Sequence, residues 1–176
     1  MLRKLIFFLC LTHSAIWAQD SWKIEEAKVV FKIKNAGLEV EGTFEKPKVE
    51  LYWDTKNVEN SKIFAALNAN SINTGIAMRD NHLRKEEYFD VKKYPLIEMN
   101  LIKLSQKDGG QFVGSFKLTL KGNTRQVELP FKAFNTNGMY EFKGELSINR
   151  LDYNIGDKSW MMSNDVKIQI NLVAKP

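Results

Sequence analysis

Hydrophobic and polar positions alternate with a period of two along almost the whole chain. Val29, Phe31 and Ile33 face one way while Lys28, Lys32 and Lys34 face the other, and Leu38, Val40, Gly42 and Phe44 alternate with Glu39, Glu41, Thr43 and Glu45. Alternation of this kind marks a strand with one buried and one wet face. Asn35-Ala-Gly37 predicts a hairpin turn between the two runs. Glu45-Lys-Pro47 then turns into a third run, with Val49, Leu51 and Trp53 on one side. Three strands in succession predict a meander.

Asp54 to Ser61 is polar and predicts a turn of helix, after which Ile63 to Ile72 returns to alternation. Ala65, Ala66 and Ala69 leave room beside that strand, for another element or for something that is not protein. Leu96 to Ser105 is apolar on both parities, which predicts a strand covered on its outer face as well. Phe112 to Leu120, Val127 to Ala133, Tyr140 to Ile148 and Val166 to Leu172 continue the pattern, separated by Asp108-Gly-Gly110, Lys121-Gly-Asn123 and Asn135 to Gly138. Pro130 argues for an edge or a bulge in its strand. Eight or nine antiparallel strands result.

One stretch interrupts the sheet. Asn73 to Pro95 gathers charge and aromatic residues, and its apolar spacing predicts a helix to about Lys85 capped by Asn73 or Thr74. Ile76, Arg79, Asp80 and Leu83 share a helical face, and Asp80 with Arg84 at i+4 reads as an ordinary surface pair. Arg79, with His82 nearby, can meet the anionic headgroup of a ligand or can pair with a carboxylate such as Asp152 or Asp165 and pin the helix to the rest of the fold. The pinning role is preferred, and Arg150, followed by Asp152, is read the same way.

Such strands build either a sandwich or a closed barrel, and a barrel of about eight strands can enclose one small apolar ligand. Glycines and alanines at inward positions (Gly42, Ala65, Ala69, Gly114, Gly144) favour the barrel, where strands bend and a ligand needs space.

Composition narrows the function. Residues 1–18 place Arg3 and Lys4 before an apolar run, Leu5 to Leu11, and a less apolar stretch that ends at Ala18, the layout of a secretory signal peptide. Its removal leaves 158 residues (176 − 18), one domain over 19–176, with a net charge of +3 (24 − 21). A periplasmic or secreted protein is expected. Lys and Glu are interleaved, which excludes the basic block of a nucleic-acid binder, and no later apolar run is long enough for a membrane helix. Cys10 is the only cysteine and lies in the leader, so disulfides and thiolate chemistry are excluded from the remainder. With His13 also in the leader, a multi-histidine metal site is impossible, and a serine triad would have to use His82 with Ser71 or Ser163, neither of them in a G-x-S-x-G turn. No catalytic residues, metal or cofactor are expected.

Five ordered motifs carry a family resemblance. Ser71-Ile-Asn-Thr74 with Arg79-Asp-Asn-His-Leu83, Tyr88-Phe-Asp90 with Tyr94-Pro95, Leu118-Thr-Leu-Lys-Gly122 with Thr124-Arg125, Ile148-Asn-Arg150, and Asp152-Tyr153 resemble the YceI-like family from Trp22 to about Ala174. Lys121 stands where histidine is common, and Tyr88 and Tyr153 where phenylalanine is common. The resemblance implies an all-β, eight-stranded antiparallel lipocalin-like barrel with one inserted helix, secreted to the periplasm or beyond, that binds polyisoprenoids or similar long amphiphiles.

On that basis the inward parities become lumen candidates: Phe31, Ile33, Val40, Phe44, Leu51 and Trp53 from the first half, with Leu67, then Phe116, Leu118, Phe142, Leu146, Ile148 and Ile168. Arg79, His82 and Arg150 become candidates for the mouth. The expected ligand is a polyisoprenoid, an isoprenoid quinone or a fatty-acyl lipid. The competing expectation is a stress-related or surface interaction protein whose barrel is filled by its own side chains. A homodimer is compatible with either.

Overall fold

The computed structural model describes residues 21–176. The expected signal peptide, residues 1–18, lies outside the described residues. Nine antiparallel strands form one sheet: β1 (Lys23–Asn35), β2 (Leu38–Thr43), β3 (Lys48–Tyr52), β4 (Lys62–Asn68), β5 (Leu96–Lys107), β6 (Gln111–Leu120), β7 (Asn123–Thr136), β8 (Met139–Asn149) and β9 (Asp165–Lys175). Among the described residues a single α-helix, α1 (Ala77–Leu83), is inserted between β4 and β5. The hydrogen-bonded order is β2-β1-β9-β8-β7-β6-β5-β4-β3.

The two ends of this order meet. β1 pairs with β9 along one side, while its other side holds β2 against Val30 to Asn35 and meets β3 at its start, where the Trp22 amide donates to the Leu51 carbonyl at 2.7 Å. β2 and β3 therefore occupy one position in the wall in succession, interrupted at Phe44 to Pro47, where Lys46 takes a positive φ of 47°. Nine strands fill the eight places expected of the barrel. The expected meander is corrected: β3 pairs with β4, not with β2. The turn at Glu45 to Pro47 carries the chain along the wall instead of folding it back.

Two local readings also change. β5 is not covered on its outer face, since Leu96 and Ile102 are exposed. Its double apolar parity comes from a register shift between Leu101 and Lys103, a bulge that lets Ile97 face inward before it and Leu104 after it. Pro130 lies inside a long strand, but the β7–β8 ladder begins only at Phe131. On that side it is at a local edge, and the turn Arg150–Tyr153, with its buried Tyr153, meets the start of β7, where Asn123 Nδ2 donates to the Tyr153 carbonyl at 3.3 Å. Burial raises the Tyr153 pKa above its ordinary value, with the Asp152 charge acting in the same direction.

Antiparallel connectivity sorts the connections between two ends. At one end lie the β5–β6 and β7–β8 turns and the β3–β4 link, together with the start of β1. At the other lie the β1–β2 hairpin, the long segment holding α1, the Lys121-Gly122 turn and the stretch from Arg150 to Asn164. The first end is packed with aromatic rings. Trp53 meets Phe112 and Phe142 edge-on at 5.1 and 5.0 Å between centroids, Phe112 stacks on Phe131 at 5.4 Å, and Trp22 meets Tyr140 at 4.8 Å. Edge-to-face pairs of this kind add to the large area that each ring buries.

Candidate functional site

Above the aromatic floor the barrel does not fill itself. A cavity of about 340 Å³ runs between the walls, within the range of small-molecule pockets. Phe131 and Phe142 of the floor border it below, while Leu51, Phe116, Leu118, Leu146 and Ile168 are among the side chains of its walls. Aliphatic and aromatic groups dominate because the inward parity of every strand is apolar. Small residues contribute by subtraction: a Cβ at Gly42 would overlap the Phe31 ring directly across the β1–β2 pair, so glycine lets that ring lie against the wall. Ala65 on β4 likewise borders the space.

All the lumen candidates named from the sequence border the cavity except Trp53. Its indole, 4% exposed, is wedged into the aromatic floor against Phe112, Phe131 and Phe142. Strand parity shows that it points inward but not how far along the barrel axis it lies. Sequence reasoning missed Tyr88, Phe89 and Met162, which border the cavity from the connecting segments, where alternation gives no signal.

The mouth is built by the long segments of the second end. The helix is shorter than expected, and its N-cap is Ile76 without a side-chain hydrogen bond. Thr74 is not the cap. Its amide and hydroxyl both donate to Oδ1 of buried Asp80, while its hydroxyl and carbonyl oxygens accept from Arg79 Nε (2.7 Å) and Nη2 (2.8 Å). One threonine thus links the guanidinium of Arg79 to the carboxylate of Asp80. Neither Asp152 nor Asp165 pairs with Arg79, and the expected Asp80–Arg84 pair is not made, because Asp80 turns back to Thr74. Arg84 instead donates to the carbonyls of Asn70 and Ile72, each at 2.8 Å, and to Asn81 Oδ1. The pin expected of Arg79 is supplied by Arg84.

Arg79 borders the cavity, with Nη1 free of any protein acceptor among the described residues. His82 borders it too, its ring 5.0 Å from that of Tyr88. Arg150 is only 2% exposed and is held without a carboxylate: Nε donates to the Ser163 carbonyl, Nη1 to that of Ile155 at 2.7 Å and Nη2 to that of Asp157 at 2.8 Å. It ties the stretch after β8 into a fixed loop, as the sequence suggested, although through carbonyls. That loop in turn meets the segment after α1 at Gly156, whose amide donates to the Glu87 carbonyl. With φ at 62° and Tyr88 Cε1 only 2.9 Å from where a Cβ would stand, this position requires glycine. Among the described residues, no group of three or more His, Cys, Asp or Glu converges in a way that could hold a metal.

An antiparallel barrel with an apolar lumen and a helix across one end matches known proteins throughout. The YceI-like domain model matches residues 17–174. A UPF0312 protein of Pectobacterium atrosepticum is 31% identical, the alignment covering 94% of this chain and 90% of the relative. Among solved structures, Burkholderia cenocepacia BcnA superposes with a TM-score of 0.81 at 24% identity, over 85% of this chain and 96% of that one. A polyisoprenoid binding domain from Saccharophagus degradans superposes with a TM-score of 0.65 at 15% identity, over 88% and 97%. Matched over nearly its whole described length in both sequence and fold, the chain belongs to the YceI-like family.

Proposed function

We propose that this protein is a periplasmic or secreted carrier that holds a long apolar amphiphile, a polyisoprenoid, isoprenoid quinone or fatty-acyl lipid, in the barrel lumen. The observation that carries this reading is the cavity of about 340 Å³, apolar along its walls and bordered by Arg79 and His82 at the mouth. It favours a carrier over a barrel filled by its own side chains. The neighbouring polyisoprenoid binding domain supports the same ligand class. The leader-like layout of residues 1–18 supports export.

Affinity in such a site comes from burial. Each methylene withdrawn from water contributes about 0.8 kcal/mol, so lengthening a chain by two carbons tightens binding about tenfold until the lumen is full. Specificity for the tail is weak, and direction comes from the mouth. The free Nη1 of Arg79 suits an oxyanion or carbonyl headgroup. Nothing in this chemistry needs a bond to be made or broken, and we read the role as binding without catalysis.

Organic extraction of protein purified from its native source, followed by mass spectrometry, tests the reading. An amphiphile with a long hydrocarbon tail, recovered in stoichiometric amount, is the expected result. Repeatedly empty extracts, together with no chain-length dependence for added fatty acids, overturn it.

A further inference from the structure

We infer that the mouth of the barrel docks on a lipid bilayer, with Trp160 as its principal anchor. This rests on the carrier reading above but concerns a different surface. Five large apolar side chains stand in solvent around the mouth. Trp160 is 93% exposed, Met78 83% and Leu38 72%, and Ile76 and Met161 are exposed as well. They come from three separate segments that the fold brings to the same end. The Ala36 amide donates to the Met161 carbonyl at 2.8 Å and Asn35 bridges Met162, which sets Trp160 and Met161 beside the β1–β2 hairpin that carries Leu38. On the hairpin's other side Thr43 bridges Asn73, which brings in the start of α1 with Ile76 and Met78. Between these projecting groups lie Asn35, Val40, Thr74, Arg79 and Met162, all of which border the cavity.

The arrangement selects the occupant. Exposed apolar groups in one region mark a surface that is covered in use. A protein partner seated on this ring would stopper the opening, whereas a bilayer accepts side chains from several segments at different depths and is itself the source and destination of an insoluble tail. Tryptophan settles at the membrane interface, where an apolar ring with one polar edge is stable. The net charge of +3 (24 − 21) on residues 19–176 adds attraction to anionic lipid. A tail that leaves the lumen through a docked mouth never crosses water.

Trp22 and Trp53 are buried and already in apolar surroundings, so Trp160 is the exposed indole among the described residues and a change in emission on adding vesicles reports its docking. The test uses the chain from Gln19 onward, which contains the whole described barrel and omits the apolar leader. It is mixed with vesicles of phosphatidylethanolamine and phosphatidylglycerol. The expected result is a blue shift in emission, quenching by brominated acyl chains and co-flotation with the vesicles. Trp160→Ser should weaken partitioning at least about tenfold, because even part of an indole's apolar area kept out of lipid suffices for that loss. Met78→Ser should weaken it less. Neither residue borders the cavity, so both variants should bind a fluorescent fatty acid in lipid-free solution as the parent does.

Absence of flotation and blue shift, with the fatty acid still bound, overturns docking and leaves the carrier reading standing. A parent protein that binds no fatty acid overturns the carrier reading, and the docking inference falls with it. Emission already blue in lipid-free protein, turning red on dilution as a dimer separates, assigns the ring to a second copy of this chain and overturns the bilayer.

Discussion

The two ends of the barrel are made from the same strands and reach opposite solutions. At the end where β1 begins, connections are short and the interior is closed by interlocking rings: Trp53, Phe112, Phe131 and Phe142, with Trp22 and Tyr140 beside them. At the other end two of the connections are long, the segment that carries α1 and the stretch from Arg150 to Asn164, the interior is open, and order is kept by guanidinium groups bonded to backbone carbonyls. Rings close an end by filling it. Arginines hold a rim in place without filling it, because each spans several carbonyls from one side. The difference assigns stability to the floor and access to the mouth.

Removing the floor should therefore cost the most. Trp53→Ala is expected to destabilise the protein by about 3–5 kcal/mol, as large aromatic truncations in cores do, measured by urea unfolding. A loss below about 1 kcal/mol would mean that the floor does not carry the fold. Arg150→Met comes next. It abandons carbonyls of Ser163, Ile155 and Asp157 that the buried guanidinium now satisfies, at a cost of about 2–4 kcal/mol. Hydrogen exchange should show protection lost first between Asn154 and Asn164 and retained in β6 to β8. A uniform loss across the barrel would erase the distinction between the two ends.

The contrast sharpens further with a substitution that adds volume. Ala65→Phe puts a ring into the lumen, where space exists, so stability should change by less than the 1–3 kcal/mol typical of overpacked cores while fatty-acid binding is abolished. A severe loss of stability would show that the cavity is not free space. At the rim, Arg79→Ala should weaken binding of an anionic amphiphile about tenfold with little change in melting temperature, since Thr74 and Asp80 remain bonded to each other. Arg84→Ala should do the reverse, lowering the melting temperature by releasing α1 from Asn70 and Ile72 while sparing lipid-free affinity. Exchange of these two outcomes would reassign pin and headgroup contact.

How much of this was legible in the chain follows the same division. Strand parity is local, so Phe31, Phe116, Leu146 and Ile168 could be placed inside from alternation alone, and the family motifs set the closure that alternation leaves open. Depth along the barrel axis is not local, which is why Trp53 read as lumen and proved to be floor. The bulge at Leu101 to Lys103 mimicked a strand covered on both sides, because a register shift and double burial leave the same apolar pattern. At the mouth, partners were misjudged because acidic residues draw attention as mates for arginine. The carbonyls that bind Arg84 and Arg150 belong to every residue and leave no mark in the sequence, and the Arg79–Thr74–Asp80 link depends on a turn of the backbone at Gly75, where φ is 79°.

The smallest expected effect separates the two ends by pH. Asp54, in the link between β3 and β4, accepts from the amides of Asn57 and Lys56 at 2.8 and 2.9 Å, and these bonds hold its pKa below the ordinary 3.8. A carboxylate with a lowered pKa in the folded state contributes stability above its unfolded pKa and loses it as pH falls through the folded value. Asp54→Ala should therefore be slightly less stable than the parent at neutral pH, and the two should converge below pH 3.8 as the parent carboxyl gains its proton. The guanidinium–carbonyl bonds of Arg84 and Arg150 have no group that titrates in this range. Acid should loosen the β3–β4 link while leaving that rim protected, and hydrogen exchange at pH 7 and pH 3 would show the order. Loss of protection around Arg150 ahead of Asp54 would mean that the rim depends on a carboxylate after all.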